Sequence, residues 1–196
     1  MRKFKTEKRL EKITKAVCAR QPGLHIVLEN IHDPHNVSAI FRSCEAVGVP
    51  KVSLLYTKEQ FPKISRVTSA SAFKWIEKEK FSNEKECFEQ LHKEGFKIYS
   101  SILKEDAVDL YDLDLTGKTA IVLGNEHRGV SEEVVKYSDK IFYIPMHGMI
   151  QSLNVSVAAA VILYEAQRQR RLKGLYDTPQ MSQNEIEEMI DKWCQK

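Results

Sequence analysis

Three short polar stretches hold most of the side chains in this 196-residue chain whose types and spacing could do chemistry. Residues 30–36 place His32 and His35 around Pro34, with Asn30, Asp33 and Asn36 beside them. Residues 124–129 read Gly-Asn-Glu-His-Arg-Gly, and residues 145–154 bring Gln151, Ser152 and Asn154 up to an apolar run. The two histidines lack a third nearby ligand, so they read as turn and surface residues rather than a metal site. Phosphate signatures fail: there is no G-x-G-x-x-G, and Gly124 to Gly129 is not followed by Lys-Ser/Thr, which disfavours a dinucleotide or ATP site. Asn36-Val37-Ser38 and Asn154-Val155-Ser156 match the glycosylation acceptor, but without an export signal they read as chance matches. On residue type alone, Arg42 and Glu126 are either site groups or ordinary paired and solvated side chains.

The elements that must position these loops alternate between strand and helix. A stripe of Leu10, Ile13 and Val17 predicts a basic amphipathic helix over 2–19, stopped by Pro22-Gly23. Strands are expected at 25–29, 51–56, 75–80, 97–103, 119–123 and 141–144, five or six in all, with helices at 36–47, 83–93, 131–135, 155–172 and 184–193. Strand, loop, helix, strand is the crossover unit of a parallel sheet, and the series predicts an α/β sheet with helices on both faces. The three polar loops all follow strands, and ligands of such sheets bind at the strands' carboxyl ends. The Ser/Thr/Ala-rich stretch 67–72 reads as a mobile or ligand-touching loop. Val155–Tyr164 is apolar nearly all round, which places it deep in a core or against another copy of itself.

Composition bounds the class. At 42% apolar residues the chain can build one compact body. The absence of an apolar run of about 18 residues, and of a leader after the basic N-terminus, predicts a cytoplasmic protein. Cys18, Cys44, Cys87 and Cys194 are widely spaced and read as free thiols. The formal charge of +3 is unevenly spread: residues 1–20 carry a net +6 and residues 21–164 a net −3. Arg168, Arg170, Arg171 and Lys173 form a second basic cluster. A near-neutral body with basic flanks points to a polyanion partner, against the simpler reading of a solvated helix face.

Three separated stretches together resemble the SPOUT class of RNA methyltransferases, and within it the TrmH family of tRNA guanosine-2′-O-methyltransferases. They are LENIHDPHNVSAIFRSCEAVG (28–48), VLGNEHRGVSEE (122–133) and IPMHGMIQSLNVSVAAAVILYEAQRQR (144–170). TSASAFKW (68–75) and LKGLYDTP (172–179) extend the likeness in the same order. The resemblance implies a parallel-sheet SPOUT domain at 21–172 with a C-terminal deep trefoil knot, a basic helix at 1–20, a helical extension at 173–196, and a homodimer built through the helix from Val155. It implies S-adenosylmethionine as cofactor, held at Ser101, Leu123, Gly124, Ile144, Met146 and Leu153, with no metal. Asn36, Arg42, Glu126, Ser152 and Asn154 match the family's catalytic positions.

The implied reaction is methylation of a guanosine 2′-hydroxyl in the tRNA D-loop. Arg42 is the family's proposed proton acceptor, but a guanidinium gives up its proton reluctantly, so phosphate binding and orientation of the hydroxyl is the chemically favoured role. Asn36 would fix Arg42 or the ribose, Glu126 would hold the catalytic loop, and Ser152 and Asn154 would bond the nucleotide or the loop. Arg9, Lys12, Arg168, Arg170 and Arg171 are the expected RNA contacts. Two alternatives are an rRNA 2′-O-methyltransferase and a catalytically silent RNA-binding subunit of the same fold.

Overall fold

A computed structural model describes residues 2–63 and 72–196, so most of the 67–72 loop expected from the sequence lies outside the described residues. Seven strands form one sheet: β1 (Leu24–Glu29), β2 (Lys51–Leu55), β3 (Glu77–Phe81), β4 (Lys97–Ser101), β5 (Val108–Asp109), β6 (Thr119–Leu123) and β7 (Lys140–Tyr143). Their order is β3-β2-β1-β6-β4-β7-β5, and every pairing is parallel. The sequence reading of five or six strands is corrected to seven. The additional strand, β5, is two residues long and too short to show a period.

The central strands β1 and β6 are buried at every position, as a sheet covered on both faces requires. Alternation then sorts side chains between two cores. Ile26, Leu28, Ile121 and Leu123 face one core, while Val27, Ala120 and Val122 face the other. The first core is covered by α2 (Pro34–Ala46) and α5 (Val155–Leu172), the second by α3 (Glu84–Lys93) and the short α4 (Glu132–Val135).

The terminal helices α1 (Glu7–Cys18) and α6 (Gln183–Cys194) pack on one another around a third cluster that includes Ile13, Val17, Ile190 and Trp193. Their start points follow from the sequence. Thr6 caps α1, Asp33 with Pro34 starts α2, and Ser182 with Glu185 forms a capping box on α6.

The structure removes one alternative for the last apolar helix, burial all round within its own chain, and overturns one reading of the basic stretch that follows. Helix α5 buries only one side, through Ala159, Ile162, Leu163 and Ala166, and leaves Val157 and Tyr164 about half exposed. Arg170, expected to contact RNA, is 2% exposed. Its guanidinium donates to the carbonyls of Leu115, Gly23 and Gly117 and to the Gln21 amide oxygen. A buried guanidinium needs that many acceptors, so Arg170 joins α5 to the starts of β1 and β6 and is not available to a phosphate.

Candidate active-site cleft

In a parallel sheet all loops following strands emerge on one edge, so the loops after β1, β6 and β7 meet there as topology demands. Strand order also switches at the β1–β6 pair, whose chains depart in opposite directions and leave a crevice between their loops. A cavity of about 540 Å³ opens at this edge. All six residues expected to hold the cofactor, Ser101, Leu123, Gly124, Ile144, Met146 and Leu153, line it, together with Glu126, Ser152 and Asn154.

Hydrogen bonds across long sequence separations fix the cleft's rim. Asn36, at the start of α2, donates from Nδ2 to Glu126 Oε1 at 2.9 Å and accepts at Oδ1 from Asn154 Nδ2 at 3.1 Å. Glu126 also accepts from the backbone N–H groups of His32 and Asp33 at 3.0 and 3.1 Å. The carboxylate thus sits at the N-terminal entry to α2, where free N–H groups and the helix dipole favour negative charge. Burial alone would raise its pKa. The bonds from Asn36, His32 and Asp33 outweigh that and hold the carboxyl below its ordinary range. With its lone pairs engaged and its basicity reduced, Glu126 suits a loop anchor better than a general base. Asn154 caps α5 by accepting from Ser156 N at 2.8 Å, so one side chain starts a helix and closes the rim.

The sequence reading missed a further layer. Asn30 adopts φ 50°, and its Oδ1 accepts from the N–H groups of Thr57, Lys58 and Glu59. Its carbonyl accepts from Asn125 Nδ2 at 2.7 Å, and Asn125 Oδ1 in turn accepts from His127 N and Arg128 N. Asn is the residue type that tolerates left-handed backbone and bonds its own turn, which is the signal that singles out both positions. Glu59 bridges the loops, 2.7 Å from Arg128 and 3.2 Å from His32. Gly124 is required for a spatial reason: a Cβ there would lie 2.1 Å from the Gly129 carbonyl carbon.

The cleft sets apolar walls beside a polar rim. Leu123, Ile144, Met146 and Leu153 supply apolar walls. Among the described residues, no protein acceptor takes the N–H groups of Met146, Gln151, Ser152 and Leu153, all of which line the cleft.

Arg42 is not part of this arrangement. It is exposed on α2, away from the cleft, in a separate furrow with Arg9 and Lys12 of α1 and Tyr164 of α5. Six residues of helix separate it from Asn36, about 9 Å along the axis and on another face. Of the other expected RNA contacts, Arg168 is exposed but paired with Glu165 at 2.8 Å, and Arg171 is exposed.

An open parallel α/β sheet with a ligand cleft made of post-strand loops at its switch point defines a class of small-molecule-binding enzyme folds. The chain belongs to the SpoU rRNA Methylase family, whose sequence model matches residues 23–164. It is 43% identical over 192 residues to the tRNA (guanosine(18)-2′-O)-methyltransferase of Thermus thermophilus, covering 98% of both proteins. Its fold superposes on the crystal structure of the A. aeolicus TrmH/SpoU tRNA modifying enzyme with a TM-score of 0.90 at 40% identity, covering 96% of each chain. The SpoU methyltransferase AviRb from Streptomyces viridochromogenes, solved with the cofactor AdoMet, gives a TM-score of 0.69 at 25% identity, covering 78% of this chain and 59% of that one.

Proposed function

We propose that this protein transfers the methyl group of S-adenosylmethionine to the 2′-hydroxyl of a guanosine, position 18, in the D-loop of tRNA. The observation that carries this reading is the cleft. Its walls are the expected cofactor positions, and its rim is the Asn36–Glu126–Asn154 chain of hydrogen bonds. The near end-to-end likeness to a tRNA enzyme favours tRNA over rRNA. Helices α1 and α6 lie outside the segment common to the family, yet inside the 98% match to the T. thermophilus protein. Helix α1 also carries the basic residues Arg9 and Lys12 expected to meet RNA.

Bound in the cleft, the cofactor supplies a sulfonium-activated methyl group with a good leaving group. Apolar walls at Leu123, Ile144, Met146 and Leu153 and the N–H groups of Met146, Gln151, Ser152 and Leu153 would hold it. Methyl transfer to the 2′-hydroxyl would release the cofactor's neutral thioether and a proton to solvent, and the part left to this chain's residues would be to hold the two partners in line. Alignment does most of the work in such a displacement. Ser152 and Asn154 present a hydroxyl and an amide to the incoming nucleotide, and Arg42 holds the neighbouring phosphate.

Arg42 lines the α1/α2 furrow and not the cleft of its own chain, and we read the active unit as a homodimer in which it serves the cleft of the second copy. The α2/α5 face supports this: Val157 and Tyr164 stand exposed there, and Arg42 shares a furrow with Tyr164. The proposed fold includes the trefoil knot implied by the family likeness, with α5 clasped to residues 113–117. Gln169 bonds both Leu113 and Leu115, and Arg170 bonds Leu115 and Gly117.

The test is incubation with methyl-labelled S-adenosylmethionine and either total tRNA or rRNA, followed by mapping of the modified nucleotide. Label at a D-loop guanosine ribose is the expected result. Label in rRNA alone would replace the substrate, and no transfer to any RNA would leave a binding subunit.

A further inference from the structure

The furrow between α1 and α2 measures about 740 Å³ and shares no lining residue with the cofactor cleft. Four cations face it: Arg9, Lys12, Arg42 and Lys74. The carboxylate in its wall, Glu45, lies 3.4 Å from Arg20 and is already engaged. Elsewhere, Arg2, Arg128 and Arg168 are each spent on a carboxylate. Among the described residues, no ion pair reaches the four cations of the furrow. Two of them are held in place by an aromatic ring: the Arg9 guanidinium lies 5.3 Å and the Lys74 ammonium 4.6 Å from the centre of Trp75. Trp75 is itself braced by Trp193 at 4.8 Å. Cation–π contacts orient charged heads without neutralising them, so the furrow presents four uncompensated positive charges, two of them oriented by a ring.

We propose that this furrow is a track for the phosphodiester backbone of the RNA strand flanking the target nucleotide, with Lys74 as a contact beyond Arg9, Lys12 and Arg42. The proposal rests on the RNA-methylating reading above and says where the RNA runs. Charge complementarity selects the occupant: closely set cations facing one engaged carboxylate suit a polyanion and repel a basic partner. Trp75 sets the positions of Arg9 and Lys74, so it acts as a positioning residue and need not touch the RNA.

The chain has two tryptophans, Trp75 and Trp193, and both lie at this junction, so intrinsic emission reports on the track directly. Titrating unmodified tRNA into the wild-type protein should change tryptophan emission as phosphates draw Arg9 and Lys74 off the ring. Lys74 is exposed, and Lys74→Ala should weaken tRNA binding roughly three- to tenfold and reduce the slope of log affinity against log salt by about 0.7–0.9. Affinity for S-adenosylmethionine, whose cleft Lys74 does not line, should stay within about twofold of wild type. If tRNA is bound and methylated with no change in emission, and Lys74→Ala keeps wild-type affinity and salt slope, the track is overturned while the methyltransferase reading stands. If tRNA changes the emission in a Lys74-dependent way but no RNA is methylated, the track stands and the enzymatic reading falls.

Discussion

Asn36 and Glu126, 90 residues apart in the chain, meet at 2.9 Å, the amide of one donating to the carboxylate of the other. The same Asn36 accepts from Asn154, 118 residues away. One side chain therefore holds the loops after β1, β6 and β7 in a common frame. Asn36→Asp would remove the donor and set two carboxylates against each other. We expect methyl transfer to fall by roughly 10²-fold or more and stability to fall by about 2–4 kcal/mol, read as initial rate and urea midpoint. Wild-type values for both would mean that the bond has no part in shaping the cleft.

Arg42 gives a second prediction through its distance from its own cleft. Arg42→Lys keeps the charge but loses the planar fork, and should lower turnover at saturating tRNA roughly tenfold or more. Mixing Arg42→Ala with Asn154→Ala protein should restore methyl transfer that neither variant shows alone, because each hybrid dimer then contains one intact cleft facing one intact arginine. Subunits that exchange without recovery of activity would return Arg42 to the cleft of its own chain.

Arg170 separates structure from RNA contact. Arg170→Met strands the carbonyls of Gly23, Leu115 and Gly117 and should cost about 2–4 kcal/mol of stability. The folded fraction should bind tRNA with unchanged salt dependence, measured by filter binding across a salt series. A reduced salt slope without loss of stability would restore it to the RNA contacts.

His25 makes stability depend on pH. It is 3% exposed, bonds Ser53 Oγ at 2.8 Å, and burial, helped by Lys51, pulls its pKa down to about 3. The folded chain keeps this imidazole neutral, whereas the unfolded chain protonates it below about 6.5. Its contribution is therefore complete above about 6.5 and is lost as pH falls toward 3, at up to about 1.4 kcal/mol per pH unit. The carboxyls with depressed pKa, such as Glu126 and Glu79, add their own losses only below their unfolded values. Urea midpoints between pH 7.5 and 5 should show the His25 slope, and His25→Gln should flatten it.

Much of this architecture is visible in the chain because it is local. Strands β1 and β6 announce themselves as apolar runs, and Ser131, Asn154 and Ser182 mark helix starts by residue type. Gly124 and the cofactor walls were placed by likeness to a family, and the cavity then gathers them in one surface. The misreading of Arg170 has a physical cause. Arg170 looked like the last turn of a solvated helix because the carbonyls that absorb it belong to residues 23, 115 and 117, which no helical period connects to it. The placing of Arg42 was hidden in a similar way: it sits in the same motif as Asn36, but 3.6-residue geometry sends the two to different faces of α2, so its role is proposed through a second copy. The Asn30–Asn125 scaffold depends on a left-handed backbone at Asn30 that composition cannot show.

The central claim is methyl transfer to one ribose oxygen, and the most direct measurement compares two synthetic tRNAs that differ at a single atom. One carries guanosine at position 18 and the other 2′-deoxyguanosine, each incubated with the protein and methyl-labelled S-adenosylmethionine. The account predicts label on the first, at that nucleotide, and none on the second, with both bound comparably. Equal labelling of the two, or none on either, would contradict it.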